Sequence, residues 1–391
     1  MKNNYKIIYL FLLIPFSLEL INYDLFTFRI DGFPYSLGMT LFVLIGLINI
    51  EVSKLFSNTI FKIYFSISFL TLIGCFFSVE FNNSIFRVLG WIVILIGAYG
   101  VSRLLFIKQI FKLINIFIIL MYLNWILYII LNTIRSSNII SYSESFSDEN
   151  SVLNHHIPGI HLTFAATYII YNYGFVKRKF NLLGIFLILI TFISCMLLES
   201  RSNLLFFILI ILLSYFISNK KKLSFSILAL VISFIFIQLT SNLENINQRF
   251  NITDLEYQEN TNKGRIELYS VFFEKLINYP LGSGPIDIYL KLADQSILMH
   301  NQFFTFIIMG GVLIVIPLFF LFKSIKKSFS TIVKILNKAE SKNSIYLLGL
   351  IMSIILFYST LFTIELFGGS LFVFVLVFHF FLFDLLRKYK Y

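Results

Sequence analysis

Twelve apolar runs, each close to the length needed to cross a bilayer, leave this chain few ways to fold. They fall at about 7–21, 34–50, 60–79, 85–105, 110–131, 158–174, 180–198, 203–218, 223–241, 301–322, 344–364 and 366–386. A helix needs about 20 apolar residues to span the hydrocarbon core, and no open sheet or irregular backbone survives there because its polar groups would go unpaired. The 391 residues are 58% hydrophobic and only 13% charged, whereas soluble domains carry about 25% charge. A soluble enzyme, a disordered regulator and a secreted disulfide scaffold are excluded. The two cysteines, Cys75 and Cys195, both sit inside apolar runs and imply no disulfide framework. The first run follows a basic head but has no small-residue cleavage site, so it reads as an uncleaved span. The expected fold class is an all-α polytopic integral membrane protein, a single membrane domain over 1–391 with about 12 transmembrane helices.

The net charge of +11 would suggest nucleic acid in a soluble protein. In a polytopic one it reports orientation, because Lys and Arg collect in cytoplasmic loops. With both termini inside, the twelve runs put 22 of the 31 basic residues inside and nine outside, and 17 of the 20 acids outside. A wrong count of spans would scramble that alternation. No nucleic-acid partner is therefore expected, and the bilayer itself is the first partner.

Two connections stand out on the outer side. Residues 132–157 form a short polar loop, and 242–300 form a much longer one; long ordered loops tend to carry function. Within the second, GRIELYSVFFEKLINYP places Ile266, Tyr269, Phe273, Leu276 and Ile277 at helical spacing, which predicts an amphipathic helix resting on the membrane or the bundle. Pro280 ends it, and Leu281-Gly282-Ser283-Gly284-Pro285 predicts a bend. The stretch IDIYLKLADQSIL predicts a second short helix leading to His300. On the inner side, the basic segment 323–343 reads as a loop that contacts anionic lipid.

Nine outer cations are few enough that each needs a reason. Arg201 sits in a four-residue turn at the hydrocarbon boundary, where an Arg is costly unless paired with Glu199, snorkelling to lipid phosphate or meeting an anionic ligand. Arg265 stands at the predicted start of the amphipathic helix, where the dipole disfavours it and a bound phosphate would reverse that; a solvated surface Arg is the bland alternative. His300, followed by Asn301 at a helix start, can accept a proton near neutral pH, though a lone His near a span end is more often structural. His155, His156 and His161 do not make a metal set, because Pro158 and Gly159 interrupt any helix between them and no cysteine completes the ligands. Contact of His161 with substrate is the better expectation.

The series LLESRSNLLFF (197–207), INQRFN (246–251), GRIELYSVFFEKLINYPLGSG (264–284) and MHNQFFTFIIMGG (299–311) resembles the bacterial O-antigen polymerase/O-antigen ligase superfamily. In that family an Arg follows a tight outer turn, a second Arg lies in a long periplasmic loop, and a Pro/Gly bend precedes a His-Asn pair. The likeness covers roughly 190–312. It implies a GT-C-like, metal-independent, inverting membrane glycosyltransferase in the bacterial inner membrane, with no cofactor and its site in the periplasm. Its substrate would be an undecaprenyl-pyrophosphate-linked oligosaccharide. Arg201 and Arg265 would bind the pyrophosphate, with Arg249 a further phosphate contact, and His300 would activate the acceptor hydroxyl. Asn301 and His161 would touch substrate, and a chain-length regulator protein is a candidate partner.

Six alanines against 48 phenylalanines suggest an A/T-rich gene. On that ground a surface-polysaccharide polymerase, adding glycan to the next lipid-linked repeat unit, is placed ahead of a ligase that moves glycan onto lipid A core. A different class, a lipid-linked oligosaccharide flippase, predicts charges at mid-membrane depth and short outer loops. This sequence shows the reverse.

Overall fold

The computed structural model describes residues 27–30, 33–48, 50, 52–104, 255–286, 289–292, 295–298 and 302–338, with shorter stretches at 119, 122–123, 186, 189–191, 376–377, 379–384 and 386. The predicted spans 7–21, 158–174, 203–218, 223–241 and 344–364 lie outside the described residues. The chain divides into two compact units, one formed by Met1–Ile116 with Asn262–Tyr391 and the other by Phe117–Thr261.

In the first unit a hairpin, β1 (Thr27–Ile30) with β2 (Phe33–Ser36), leads directly into α1 (Leu37–Ile48). The run at 34–50 is thus not one span. Its first residues pair as a strand with Ser36 opposite Thr27, and the 12-residue helix that remains is only about 18 Å long. A short α2 (Val52–Leu55) follows. Then come α3 (Thr59–Gly74), a 3₁₀ turn at Cys75–Phe77, and α4 (Phe81–Leu104). Among the described residues, two helical stretches are long and apolar enough to cross a membrane, Thr59–Phe77 and Phe81–Arg103. They agree with the runs at 60–79 and 85–105. Three polar side chains inside the first bond back to its own carbonyls, Ser68 to Tyr64, Thr71 to Ile67 and Cys75 to Thr71. That back-bonding is how a helix carries hydroxyls without exposing them to lipid.

α1 crosses α4 on glycine. A Cβ on Gly46 would run into the Gly97 backbone, and one on Gly100 into the backbone of Gly46. Small residues let helix backbones approach where no hydrophobic effect drives them together.

At the opposite end of α3 from the 3₁₀ turn, three segments are pinned. Asn58 is fully buried, and its Oδ1 accepts from the Ile60 and Phe61 N–H groups, capping α3. Its Nδ2 donates to Asp384 Oδ1 at 3.0 Å, and Asp384 Oδ2 pairs with Arg103 Nη1 at 2.8 Å. Above this clamp the rings of Phe61, Tyr99 and Phe380 meet at centroid distances of 5.5–6.2 Å. Asn58→Ala removes a cap and strips a hydrogen bond from a carboxylate. The expected cost is about 1–3 kcal/mol, read as a lower melting temperature in detergent. Asn58→Ser, which can still cap, should recover part of it; no difference between the two would mean that the cap contributes nothing.

The last described helices depart from the sequence reading. The run at 301–322 is broken at Gly311 into α6 (Gln302–Gly310) and α7 (Val315–Lys338), with a 3₁₀ turn at Val312–Ile314. α7 continues through most of the segment read as a basic inner loop. Its buried Leu318, Leu321, Ile325, Ser328 and Ile332 follow helical spacing, and Lys323, Lys326 and Lys327 are exposed between them. The lysines form the wet face of a helix, not a loop. Both α6 and α7 pack on α3.

In the second unit the Tyr122 hydroxyl and Thr191 Oγ1 lie 2.6 Å apart. This joins the runs at 110–131 and 180–198, whose other residues are mostly outside the described set.

Candidate functional site

Within 242–300, the segment expected to be a long outer loop, the described residues are mostly helix and strand. Its helix, α5, runs from Leu255 to Asn278, nine residues earlier than GRIELYS predicts. Arg265 is therefore the eleventh residue of the helix and does not open it. The dipole argument for phosphate at a helix start does not apply to Arg265, because the effect fades beyond the first turn. The face turned to the protein is Leu268 and Phe272, both buried, whereas Tyr269, Phe273 and Ile277 of the predicted stripe are exposed. An open face this apolar suits a helix lying between protein and lipid.

α5 ends two residues before Pro280, as the restricted backbone ahead of proline requires. The turn that follows is docked onto the Gly311 break. Ser283 N–H donates to the Ile308 carbonyl at 2.8 Å, Gly284 N–H to Met309 at 3.1 Å, and Val312 N–H back to Pro280 at 2.9 Å. Gly311 takes φ +73°, and a Cβ there would collide with the Pro280 and Leu281 backbone. Gly284, at φ +78°, lies against Cys75, Ser78 and Ser84 at the end of α3 and the start of α4, where the Ser78 and Ser84 hydroxyls are 2.7 Å apart. Gly74 faces the same spot, with Met309 O where its Cβ would be.

The predicted second short helix is instead a hairpin, β3 (Tyr289–Leu292) with β4 (Gln295–Leu298), Leu292 opposite Gln295. Only Ala293 and Asp294 connect the strands, the commonest loop length for a hairpin. Among the described residues the all-α expectation holds apart from the two hairpins.

α6 begins two residues after His300. Its Phe304 ring meets Tyr269 and Phe272 of α5 at 5.4 and 4.8 Å between centroids, edge to face, a favoured geometry for aromatic pairs. The helices that carry or adjoin two of the site candidates, Arg265 and His300, thus touch. Arg201, Arg249, His300, Asn301 and His161 lie outside the described residues, as do His155 and His156; of Arg265 the helical backbone is described. Arg87, which has no assigned role, lies on α4 one turn from Ser84 with its Nε buried.

Residues 185–319 match the O-antigen ligase domain family. The chain carries an O-antigen ligase domain. This places it in the O-antigen ligase/polymerase superfamily in general terms, and with the two membrane-length helices it sets the protein in a membrane. No curated protein and no solved structure matches the chain significantly. The O-antigen ligase domain covers about a third of the chain and extends slightly beyond both ends of the resemblance drawn from motifs alone. It takes in the α5 helix, the docked turn, the second hairpin, α6 and the Gly311 break. The sequence reading missed the docking of 280–284 onto 308–312. Its signal was the density of glycines at 282, 284, 310 and 311, which marks turns or close backbone approach but cannot say between what.

Proposed function

We propose that the protein is an inverting membrane glycosyltransferase that takes glycan from undecaprenyl pyrophosphate and passes it to an acceptor hydroxyl on the outer face of the inner membrane. One observation carries this reading. The matched segment 185–319 contains Arg201, Arg249, Arg265, His300 and Asn301 together, five of the six site candidates. Two or three guanidiniums can offset the charge of a pyrophosphate leaving group without a metal ion, through charge-assisted, often bidentate hydrogen bonds. His300 takes the proton of the acceptor hydroxyl as its oxygen bonds to the anomeric carbon. The bond from that carbon to the pyrophosphate oxygen breaks, and undecaprenyl pyrophosphate leaves on the opposite face. Asn301 and His161 are assigned to sugar contacts.

The acceptor decides between two members of the class. The composition argument favours a polymerase, but the matched domain is described as an O-antigen ligase, and that moves lipid A core ahead as acceptor. A strain lacking the protein separates the two on a lipopolysaccharide gel. A ligase leaves bare core and accumulates lipid-linked polymer, whereas a polymerase leaves core carrying a single repeat unit and is the reading that places a chain-length regulator beside it. Unchanged lipopolysaccharide would overturn both.

A further inference from the structure

α7 runs back along α3. Just before α7 begins, Gly310 lies against Leu70 and Thr71, and the Met309 carbonyl lies against Gly74, all in the last turn or so of α3. α7 packs on α3, yet α3 extends only four residues beyond Leu70. The contact can therefore continue only if α7 heads toward Thr59, antiparallel to α3. Eight residues of helix cover about 12 Å. Lys323, eight residues into α7, thus comes level with the first turns of α3, where Lys62 is exposed.

Both helices change their outward surface near this level. On α7 Ile316, Phe319 and Phe320 are exposed, and the same face continues as exposed Lys323, Lys326 and Lys327. The buried Leu318, Leu321 and Ile325 occupy the opposite face. On α3 the exposed Phe69 gives way along one face to Ser66 and then Lys62. Outward apolar side chains on a membrane helix meet lipid tails, and lysines at their edge reach the phosphate layer. Among the described residues none of these four lysines is in an ion pair, whereas Arg103 is paired with Asp384.

We propose that Lys62 of α3 and Lys323, Lys326 and Lys327 of α7 form one binding surface for anionic phospholipid, in the leaflet at the Asn58 end of the spans. A basic loop would attract such lipids diffusely. Two packed helices hold the ammonium groups together beside an exposed apolar strip, so headgroup and tail are met by one surface. A soluble polyanion or a phosphate ion would satisfy the lysines and leave Ile316, Phe319 and Phe320 uncovered. Phospholipid covers both. The surface is independent of the residues assigned to glycan transfer.

The test equilibrates the full-length protein in detergent with equal amounts of phosphatidylglycerol and phosphatidylcholine and counts the retained lipids by native mass spectrometry. The protein should retain phosphatidylglycerol in preference. A lysine beside an anionic surface is worth about fivefold in binding. Replacing Lys323, Lys326 and Lys327 together by Gln should therefore lower the preference at least about tenfold, and replacing all three by Arg should keep it. Lys62→Gln alone should lower it about fivefold. Equal retention of the two lipids would overturn the proposal, as would an unchanged preference in the triple Gln protein or a lost one in the triple Arg protein. An unchanged preference in Lys62→Gln would overturn the joint surface. Saturable binding of inorganic phosphate without any lipid preference would overturn the choice of lipid. Should the triple Gln protein fail to insert, Lys323→Gln alone replaces it and is held to the same fivefold loss as Lys62→Gln.

Discussion

His300→Ala is expected to lower glycan transfer by about 10²–10⁴-fold, the range typical for loss of a general base, with the protein still inserted and folded. Binding of undecaprenyl pyrophosphate should be nearly unchanged, because the proposal puts the residue on the acceptor side. Arg265→Ala should behave differently. On the proposed assignment it removes charge stabilisation of the leaving group, and about 10²–10³-fold is expected from the loss of one such donor, together with weaker binding of the pyrophosphate product. Arg265→Lys should recover only part, since an ammonium keeps the charge but not the planar fork that engages two oxygens. The measurement is transfer from purified lipid-linked oligosaccharide with product binding scored in parallel. Full transfer by the His300 and Arg265 variants would remove the catalytic assignment and leave the O-antigen ligase domain to be explained by another set of groups.

Gly311→Ala carries the largest expected effect on stability. The residue sits at φ +73° and ψ −171°, a region that is essentially reserved for glycine and costs other residues about 1–3 kcal/mol. A Cβ would also strike the Pro280 carbonyl and the Leu281 backbone. Neither neighbour can move easily, because Pro280 O accepts from Val312 N–H and Gly282 N–H is tied to Tyr279 O. A loss of about 3 kcal/mol or more follows, at the severe end for a single substitution. It should appear as a lower yield of monodisperse protein and a lower melting temperature in detergent. Val312→Ala, one residue on and half exposed, serves as the control and should change little. A Gly311→Ala protein as stable as the control would show that the 280–284 turn is not keyed to this break.

Local chemistry was legible wherever one segment decides its own conformation. The apolar run at 60–79 became Thr59–Phe77 and the run at 85–105 became Phe81–Leu104, because twenty apolar residues in lipid have no alternative to a helix. Pro280 and the glycines after it ended α5 as expected. The helix starts were read less well. LEYQENTNKG holds two Asn, a Thr and a Gly, all poor helix formers, so the sequence alone puts the start at Gly264; once Arg265 to Asn278 is helical, extending the N-terminal turns costs little. The hairpin at 289–298 is not legible because six apolar residues among four polar ones fit either a short helix or two short strands. Charge alone reads the α7 lysines as a loop, whereas the spacing of Leu318, Leu321, Ile325 and Ile332 makes the buried face of a helix.

What the sequence by itself determined is the medium and the general family. Charge and apolar length require a bilayer, and the order of Arg201, Arg249, Arg265 and His300 within one segment carries the resemblance from which the pyrophosphate chemistry is proposed. What only the tertiary structure decided is which distant residues answer one another. Asn58 could be read as a helix cap from its neighbours, yet its second bond goes to Asp384, 326 residues away. The glycines at 74, 284 and 311 could be read as permissive positions, yet only the fold shows three backbones meeting there, with no space left for a Cβ at Gly74 or Gly311. Sequence periodicity reports which face of an element is apolar, because that follows from the pitch of one helix. Which partner fills that face depends on contacts between segments hundreds of residues apart, and no local spacing encodes them.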